Sequence, residues 1–204
     1  QSMIPVAVAG GLAFTKISAG GHHSCGLMSS GAGYCWGQGS EGQLGHNSNS
    51  GSASPVAVGG QLKFIQVSTG NYHSCGLSSI GEAYCWGKNN YGELGDGSTT
   101  SSKVPVPVTG GHSFTQISTG DSATCAITSS GAAYCWGMNS AGQLGDGSMT
   151  SSAVPVAVSG GYSFVKISTW GPHSCGIIED GSALCWGNNL QGQLGNGSNT
   201  SSSS

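Results

Sequence analysis

Eight cysteines stand at positions 25/35, 75/85, 125/135 and 175/185, so one pair returns every 50 residues. The rest of the chain keeps that register. Pro5, Pro55, Pro105 and Pro155 each open a Pro-Val-x-Val run. Phe14, Phe64, Phe114 and Phe164 stand nine residues later, followed by Ser18, Ser68, Ser118 and Ser168. A Cys-Trp-Gly triplet, Cys35-Trp36-Gly37 and its three copies, precedes a G-x-L-G run such as Gly42-Gln43-Leu44-Gly45 or Gly192-Gln193-Leu194-Gly195. No insertion or deletion separates the copies. Self-similarity at a period of 20–50 residues marks a repeat architecture, in which each unit buries its apolar face against the next. The units are counted as 1–50, 51–100, 101–150 and 151–204, the last with a Ser-rich end.

Within one copy the pattern predicts four short strands, Pro5–Val8, Phe14–Ser18, Ser24–Met28 and Ala32–Trp36, and no segment holds a helical period. The last two are separated by Ser29-Ser30-Gly31, and later by Ser79-Ile80-Gly81, Ser129-Ser130-Gly131 and Glu179-Asp180-Gly181. Glycine always takes third place, where a three-residue hairpin loop needs a left-handed residue. The Gly37–Ser54 connection is long; its Leu44 and fixed glycines predict a packed loop with a flexible Ser-rich tip.

A loop at 29–31 sets Met28 against Ala32 and therefore Cys25 against Cys35. Directly opposed residues on antiparallel strands lie about 4.5–5.5 Å apart, within disulfide reach. Four bridges are expected, Cys25–Cys35, Cys75–Cys85, Cys125–Cys135 and Cys175–Cys185, each contributing about 2–3 kcal/mol. The alternative is four pairs of buried thiols in a reducing compartment. Zinc would need two more recurring ligands per pair, so no metal is expected. Oxidised pairs imply an extracellular, cell-surface or periplasmic setting, and Gln1 in place of an initiator Met is consistent with a removed leader or a partial chain.

The composition excludes several classes. With 38 glycines, 36 serines and 12 threonines the chain reads at first as disordered, but 36% of it is hydrophobic and four of its five tryptophans recur at fixed spacing. Charged residues are 6%, and the five cations are all lysine. Nucleic acid, which requires clustered Lys and Arg, is therefore not an expected partner. No stretch approaches the roughly 20 apolar residues of a membrane-spanning helix.

Four strands per unit together with H-S-C-x-L, Y-C-W-G and G-x-L-G-x-G-S resemble the regulator-of-chromosome-condensation repeat over essentially the whole chain. The resemblance implies an all-β fold in which each repeat contributes one β-propeller blade, usually of seven. Members of that family include a nuclear exchange factor, a plant ultraviolet receptor and a secreted bacterial β-lactamase inhibitor, so fold does not transfer function. Disulfides and the absence of arginine bring this chain nearest in character to the secreted bacterial members. Four copies do not fill seven places, which predicts a partial propeller from a longer chain, a propeller completed by assembly, or four blades that close alone.

Candidate sites are sparse. His23, His73 and His173 precede Ser-Cys, but Ala123 replaces the third copy, so a structural hydrogen bond fits them better than catalysis. His22, His46 and His112 do not recur and read as surface residues. Trp36, Trp86, Trp136 and Trp186 fit packing between blades better than a carbohydrate-stacking row, although carbohydrate stays open as a partner. Trp170 replaces the glycine of positions 20, 70 and 120, and Tyr162, His112 and Asp121 are further departures from the repeat. These four are the candidate contact residues. Asp96 and Asp146 share a turn position with His46 and Asn196, too few acids for calcium. No paired acids, nucleophile elbow or phosphate loop occurs, so no catalytic residue and no cofactor is expected. Asn196-Gly197-Ser198 and Asn199-Thr200-Ser201 fit the N-glycosylation sequon, and the Ser/Thr-rich tips could carry O-linked sugar or be plain flexible loops.

Uncapped repeats expose edge strands and apolar faces that recruit partners. The leading expectation is a non-enzymatic extracellular component that self-assembles into a fibre or array. The runner-up is a secreted protein-binding propeller that presents one face to a partner or an inhibited enzyme.

Overall fold

The computed structural model describes residues 3–204, so Gln1 lies outside the described residues. The fold is all-β, with four antiparallel sheets following one another as propeller blades. Blade 1 comprises β1 (Phe14–Ala19), β2 (His23–Met28), β3 (Gly33–Gly37) and β4 (Ser52–Ala57). Blade 2 comprises β5 (Gln66–Thr69), β6 (His73–Leu77), β7 (Ala83–Gly87) and β8 (Ser102–Pro107). Blade 3 comprises β9 (Phe114–Thr119), β10 (Ala123–Thr128), β11 (Ala133–Gly137) and β12 (Ser152–Ala157). Blade 4 has three strands, β13 (Phe164–Trp170), β14 (His173–Ile178) and β15 (Ala183–Gly187).

Each sheet is a meander, and the central hairpin has the register expected from its loop. Cys25 faces Cys35, and the same pairing recurs at 75/85, 125/135 and 175/185. The loop glycines Gly31, Gly81, Gly131 and Gly181 have φ of 80–89°, which L-residues with a Cβ adopt at a cost. All four pairs are disulfides, with S–S lengths of 2.08 to 2.13 Å and Cα atoms 4.1 Å apart. This close approach is what opposed, non-hydrogen-bonded antiparallel partners show.

One expectation is corrected. The Pro-Val-x-Val segment does not open the blade of its own 50-residue copy; it closes the blade before. Val56 pairs with Cys35, Val106 with Cys85 and Val156 with Cys135. Blade boundaries therefore fall ahead of Phe14, Phe64, Phe114 and Phe164, not at 1, 51, 101 and 151. Pro5–Val8 belongs to no strand. At the other end Ser202 forms a single bridge to Gly187, the start of a fourth strand for blade 4.

The long connections are packed, as Leu44 implied: Leu44, Leu94 and Leu144 are fully buried. Their Ser-rich parts are also ordered. The Asn89 amide donates to Ser98 O and Thr100 O (both 3.1 Å), while its carbonyl accepts Leu94 N–H at 2.9 Å. Asn139 and Asn189 repeat this arrangement. One buried amide thus satisfies several loop backbone groups, as buried polar groups require.

The hydrophobic core is divided among the seams between blades. Cys75, Leu77, Cys85 and Leu94 of blade 2 pack on Phe114, Ile117 and Trp136 of blade 3, and equivalent clusters join blades 1 and 2 and blades 3 and 4.

Candidate functional site

Each seam is stitched by the same polar contacts, offset by 51 residues. The Ser18 hydroxyl lies 2.9 Å from the Thr69 hydroxyl and accepts Thr69 N–H at 3.0 Å. Ser68 and Thr119 do likewise, and Ser118 accepts Thr169 N–H at 3.0 Å. The Gln66 side chain donates to Ile117 O and accepts Ile117 N–H, and Gln116 accepts Ile167 N–H. The tryptophans are central. The indole N–H of Trp86, Trp136 and Trp186 donates 2.9 Å to the carbonyl of Gln43, Glu93 and Gln143 in the blade before. Each ring lies on a G-x-L-G glycine: a Cβ on Gly45 or Gly95 would stand 2.8 Å from the indole nitrogen. These glycines also have φ near 70°, so the motif is needed twice over at this contact.

The recurring histidines belong to the same seams. His23 Nε2 lies 2.6 Å from Ser74 Oγ, and His73 Nε2 lies 2.8 Å from Thr124 Oγ1. Burial, with a smaller effect of His22, pulls His23 down to about 4. Burial pulls His73 down to about 3, aided by His23 and Lys88. Both rings are neutral at physiological pH and act as structural hydrogen-bonders. Ala123 removes this bond from the third seam, where the Ser174 hydroxyl pairs instead with Thr169 Oγ1 at 2.8 Å. Glu93 occupies the position of Gln43, Gln143 and Gln193; it is fully buried, and desolvation raises its carboxyl pKa.

The two outer blades present these seams uncovered. On blade 1, Ile17 is 64% exposed, whereas Val67, Ile117 and Ile167 are buried, and Trp36 and Phe14 are more open than their copies. On blade 4, Ile177 is 38% exposed against 0–3% for Leu27, Leu77 and Ile127. Nothing comes within 4 Å of a Cβ built on Gly195. A concavity of about 260 Å³, lined by Lys166, Ser168, Cys175, Ile177 and Ala183, opens on this face. One end therefore carries the knobs of a seam and the other carries its sockets.

The four candidate contact residues do not form one site. Asp121 sits in the turn between β9 and β10, and Trp170 is the last residue of β13, paired with His173. Asp121 accepts from Asn71 Nδ2 at 2.6 Å, and Trp170 is 50% exposed at the end of β13. His112 and Tyr162 lie in the loops ahead of β9 and β13, at the hairpin-tip ends of the blades. The His112 ring lies tilted against Tyr134, with centroids 4.0 Å apart, and is only partly exposed, unlike the surface residue expected. Tyr162 packs edge-on to Phe164 at 6.1 Å. Beside Asp121 the sequence reading missed Tyr72, Lys88 and Tyr91: the Lys88 ammonium lies 5.6 and 5.7 Å from the two ring centroids. Their departure from the repeat was the available signal. Trp86, Trp136 and Trp186 are buried in seams and out of reach of a sugar. Asn196 and Asn199 are exposed in the loop after β15. Among the described residues no group of three or more His, Cys, Asp or Glu could hold a metal ion, and no helix is long and apolar enough to cross a membrane.

A row of four-stranded meanders sharing their cores across seams defines the β-propeller class. Sequence comparison makes this more particular. The chain belongs to the regulator of chromosome condensation (RCC1) repeat family, whose profile matches residues 30–77, 81–127 and 130–177; a second RCC1 repeat profile matches 14–43, 64–93 and 114–143. No curated protein matches the chain. Among solved structures, human WBSCR16 is 24% identical with a TM-score of 0.86, covering 95% of this chain and 52% of that one. Prp20p of Saccharomyces cerevisiae, described with its binding to Gsp1p and histones, is 18% identical with a TM-score of 0.83, covering 97% and 51%. The ectodomain of the Physcomitrella patens receptor kinase CR4 is 21% identical with a TM-score of 0.60, covering 86% and 39%. The chain thus spans about half the length of the first two, and the likeness concerns the fold.

Proposed function

We propose that this chain is a non-enzymatic, extracellular propeller segment that works by protein binding, and that its first partner is another copy of itself. The observation that carries this reading is the match between its two end faces. Trp36, Phe14 and Ile17 are the knobs that blades 2–4 bury, and Gly195, the Gln193 carbonyl and Ile177 are the sockets that blades 1–3 fill. Joining blade 4 to blade 1 of a second copy repeats the tryptophan-to-carbonyl contact this chain already makes three times. Such a head-to-tail contact either closes a ring or extends into a fibre or array. Four disulfides suit an oxidising compartment, and the ectodomain likeness agrees with an extracellular setting. Exposed Asn196 and Asn199 are proposed as its glycan sites. Sedimentation equilibrium of the oxidised chain tests the reading: masses at multiples of 20.2 kDa are expected, and a 20.2 kDa species at every concentration overturns it.

A second reading has an observation of its own. Tyr72, Lys88, Tyr91, Asp121 and Trp170 depart from the repeat at the same end of the blades, as a face that binds a different protein would require. Pull-down on the Lys88→Ala and Tyr91→Ala variants separates the two, because self-association does not need either residue.

A further inference from the structure

We propose that the concavity between blades 1 and 2, at the hairpin-tip end, binds a small organic carboxylate, an anion carried on an apolar body. The site goes beyond end-face association, because both of its walls belong to an internal seam. It has a volume of about 360 Å³, within the size range of small-molecule pockets. One wall is Lys16, Met28 and Ser29–Gly31 of blade 1, and the other is Lys63–Ile65, which leads into β5 of blade 2.

This seam is chemically unlike its copies. Lys16 corresponds to Gln66 and Gln116 in the next two blades, and Lys63 corresponds to Ser113 and Ser163. Of the three internal seams, it alone pairs two lysines at these positions. Gln66 spends both of its polar groups on Ile117 across the next seam, and Gln116 accepts Ile167 N–H across the third. Lys16 cannot accept; its ammonium donates instead to Ile65 O. An ammonium has three donors, so two are left for a ligand. Ser29, Ser30 and Ser79 add hydroxyls, and among the described residues no carboxylate lines the hollow. The chain has eight acids against five lysines, yet it leaves these two lysines without an acid beside them. An anion from outside complements that charge.

The apolar half of the ligand is called for by the rest of the wall. β5 begins at Gln66, two residues later than β9 and β13 begin in their blades. Phe64 and Ile65 therefore precede the strand, and Ile65 is 46% exposed. Lysine ammoniums are compact point charges, so they select for charge, whereas Ile65 and Met28 select for an apolar body. A bare phosphate or sulfate would leave both uncovered. The walls are also preset. Phe64 N–H donates to Gly31 O at 2.9 Å, and a Cβ on Gly31 would stand 3.2 Å from Phe64 O and 3.3 Å from Lys63 Cβ. The hairpin tip of blade 1 is thus clamped onto the segment that carries Lys63, which lowers the ordering cost of binding.

An amide-resolved NMR titration of the oxidised chain tests this, with phenylacetate as the probe and phenylacetamide and sulfate as controls. Phenylacetate is expected to shift the amides of 29–31 and 63–65 saturably, with both controls at least about threefold weaker. Lys16→Gln and Lys63→Ser copy residues that the other seams already carry, so the fold is retained. Each should weaken phenylacetate about three- to fivefold, the worth of one partly exposed ion pair. No saturable shift at these amides overturns the proposal. Equal binding of phenylacetamide leaves a plain apolar hollow, equal binding of sulfate leaves a bare-anion site, and unchanged binding in both variants removes the lysines; each of these overturns it too. No end-face residue takes part, so self-association and this site stand or fall separately.

Discussion

Blade 4 and blade 3 share their cysteines, their tryptophan and the G-Q-L-G run but not their surroundings. Cys125, Cys135 and Ile127 are buried by blade 4, whereas Cys175, Cys185 and Ile177 meet solvent. Blade 1 shows the converse, with Trp36 partly exposed where Trp86 and Trp136 are fully buried. The same side chains therefore stabilise the fold at internal seams and are held in reserve at the ends. What a repeat contributes depends on the face its neighbour covers, as expected for a quasi-one-dimensional array.

The sharpest way to break this comparison is to remove the same residue in two blades. Trp136→Ala should cost about 3–5 kcal/mol, the range for a buried aromatic, read by denaturant unfolding with blade-resolved hydrogen exchange. Trp36→Ala should cost the isolated chain much less and should weaken self-association instead. Equal losses of stability would show that seams are not what the tryptophans serve.

Disulfide reduction gives the next largest effect. Each bridge closes a short loop worth about 2–3 kcal/mol, but accessibility differs. Limited dithiothreitol followed by alkylation and mass mapping should open Cys175–Cys185 first, because Cys75, Cys85, Cys125 and Cys135 are fully buried. Simultaneous opening of all four would contradict a distinct terminal blade.

A smaller contrast lies in the glycines. Gly95→Ala adds a close contact with Trp136 to the strain of a left-handed residue, whereas Gly195→Ala carries only the strain, about 1–2 kcal/mol. Thermal unfolding should rank Gly95→Ala as the worse, and Gly195→Ala should act chiefly on association.

The smallest expected effects concern protons. His23 and His73 have folded pKa values below their unfolded value, so the unfolded chain binds more protons. Their contribution is complete above about pH 6.5 and is lost as pH falls toward 4 and 3, weakening the first two seams before the third, which has Ala123. Glu93 has the opposite sign: its raised folded pKa favours the acid form, so its carboxylate costs stability at neutral pH. Glu93→Gln, which copies Gln43 and Gln143, should raise the melting temperature by a few degrees at pH 7, about 1 kcal/mol, with a smaller gain at pH 4. A fall at pH 7 would show that Lys88 and Tyr91 N–H make the carboxylate favourable.

The hairpins were legible residue by residue: a three-residue loop ending in glycine determines which cysteines meet. The blade boundary was not, because tandem repetition reveals a period and leaves the starting point open. That point is set by Val56 pairing back onto Cys35, a contact between copies that local pattern does not carry. The seams were half legible. The tryptophans and histidines stood out by recurrence, whereas Ser18, Gln66 and Asn89 look like ordinary polar residues until their partners elsewhere in the fold are known. Trp170 stood out as a lost glycine, whereas the close approach at that position, where a Cβ on Gly20 or Gly70 would stand 2.1 Å from the next blade's backbone, is visible only in the fold.

Hydrogen exchange resolved by strand, measured on the oxidised chain at low and high concentration, tests the central claim most directly. At low concentration β15 should exchange much faster than β7 and β11, and at high concentration its protection should rise toward theirs while β7 and β11 stay unchanged. Protection of β15 that equals that of β11 at every concentration, or that never changes, would contradict the account.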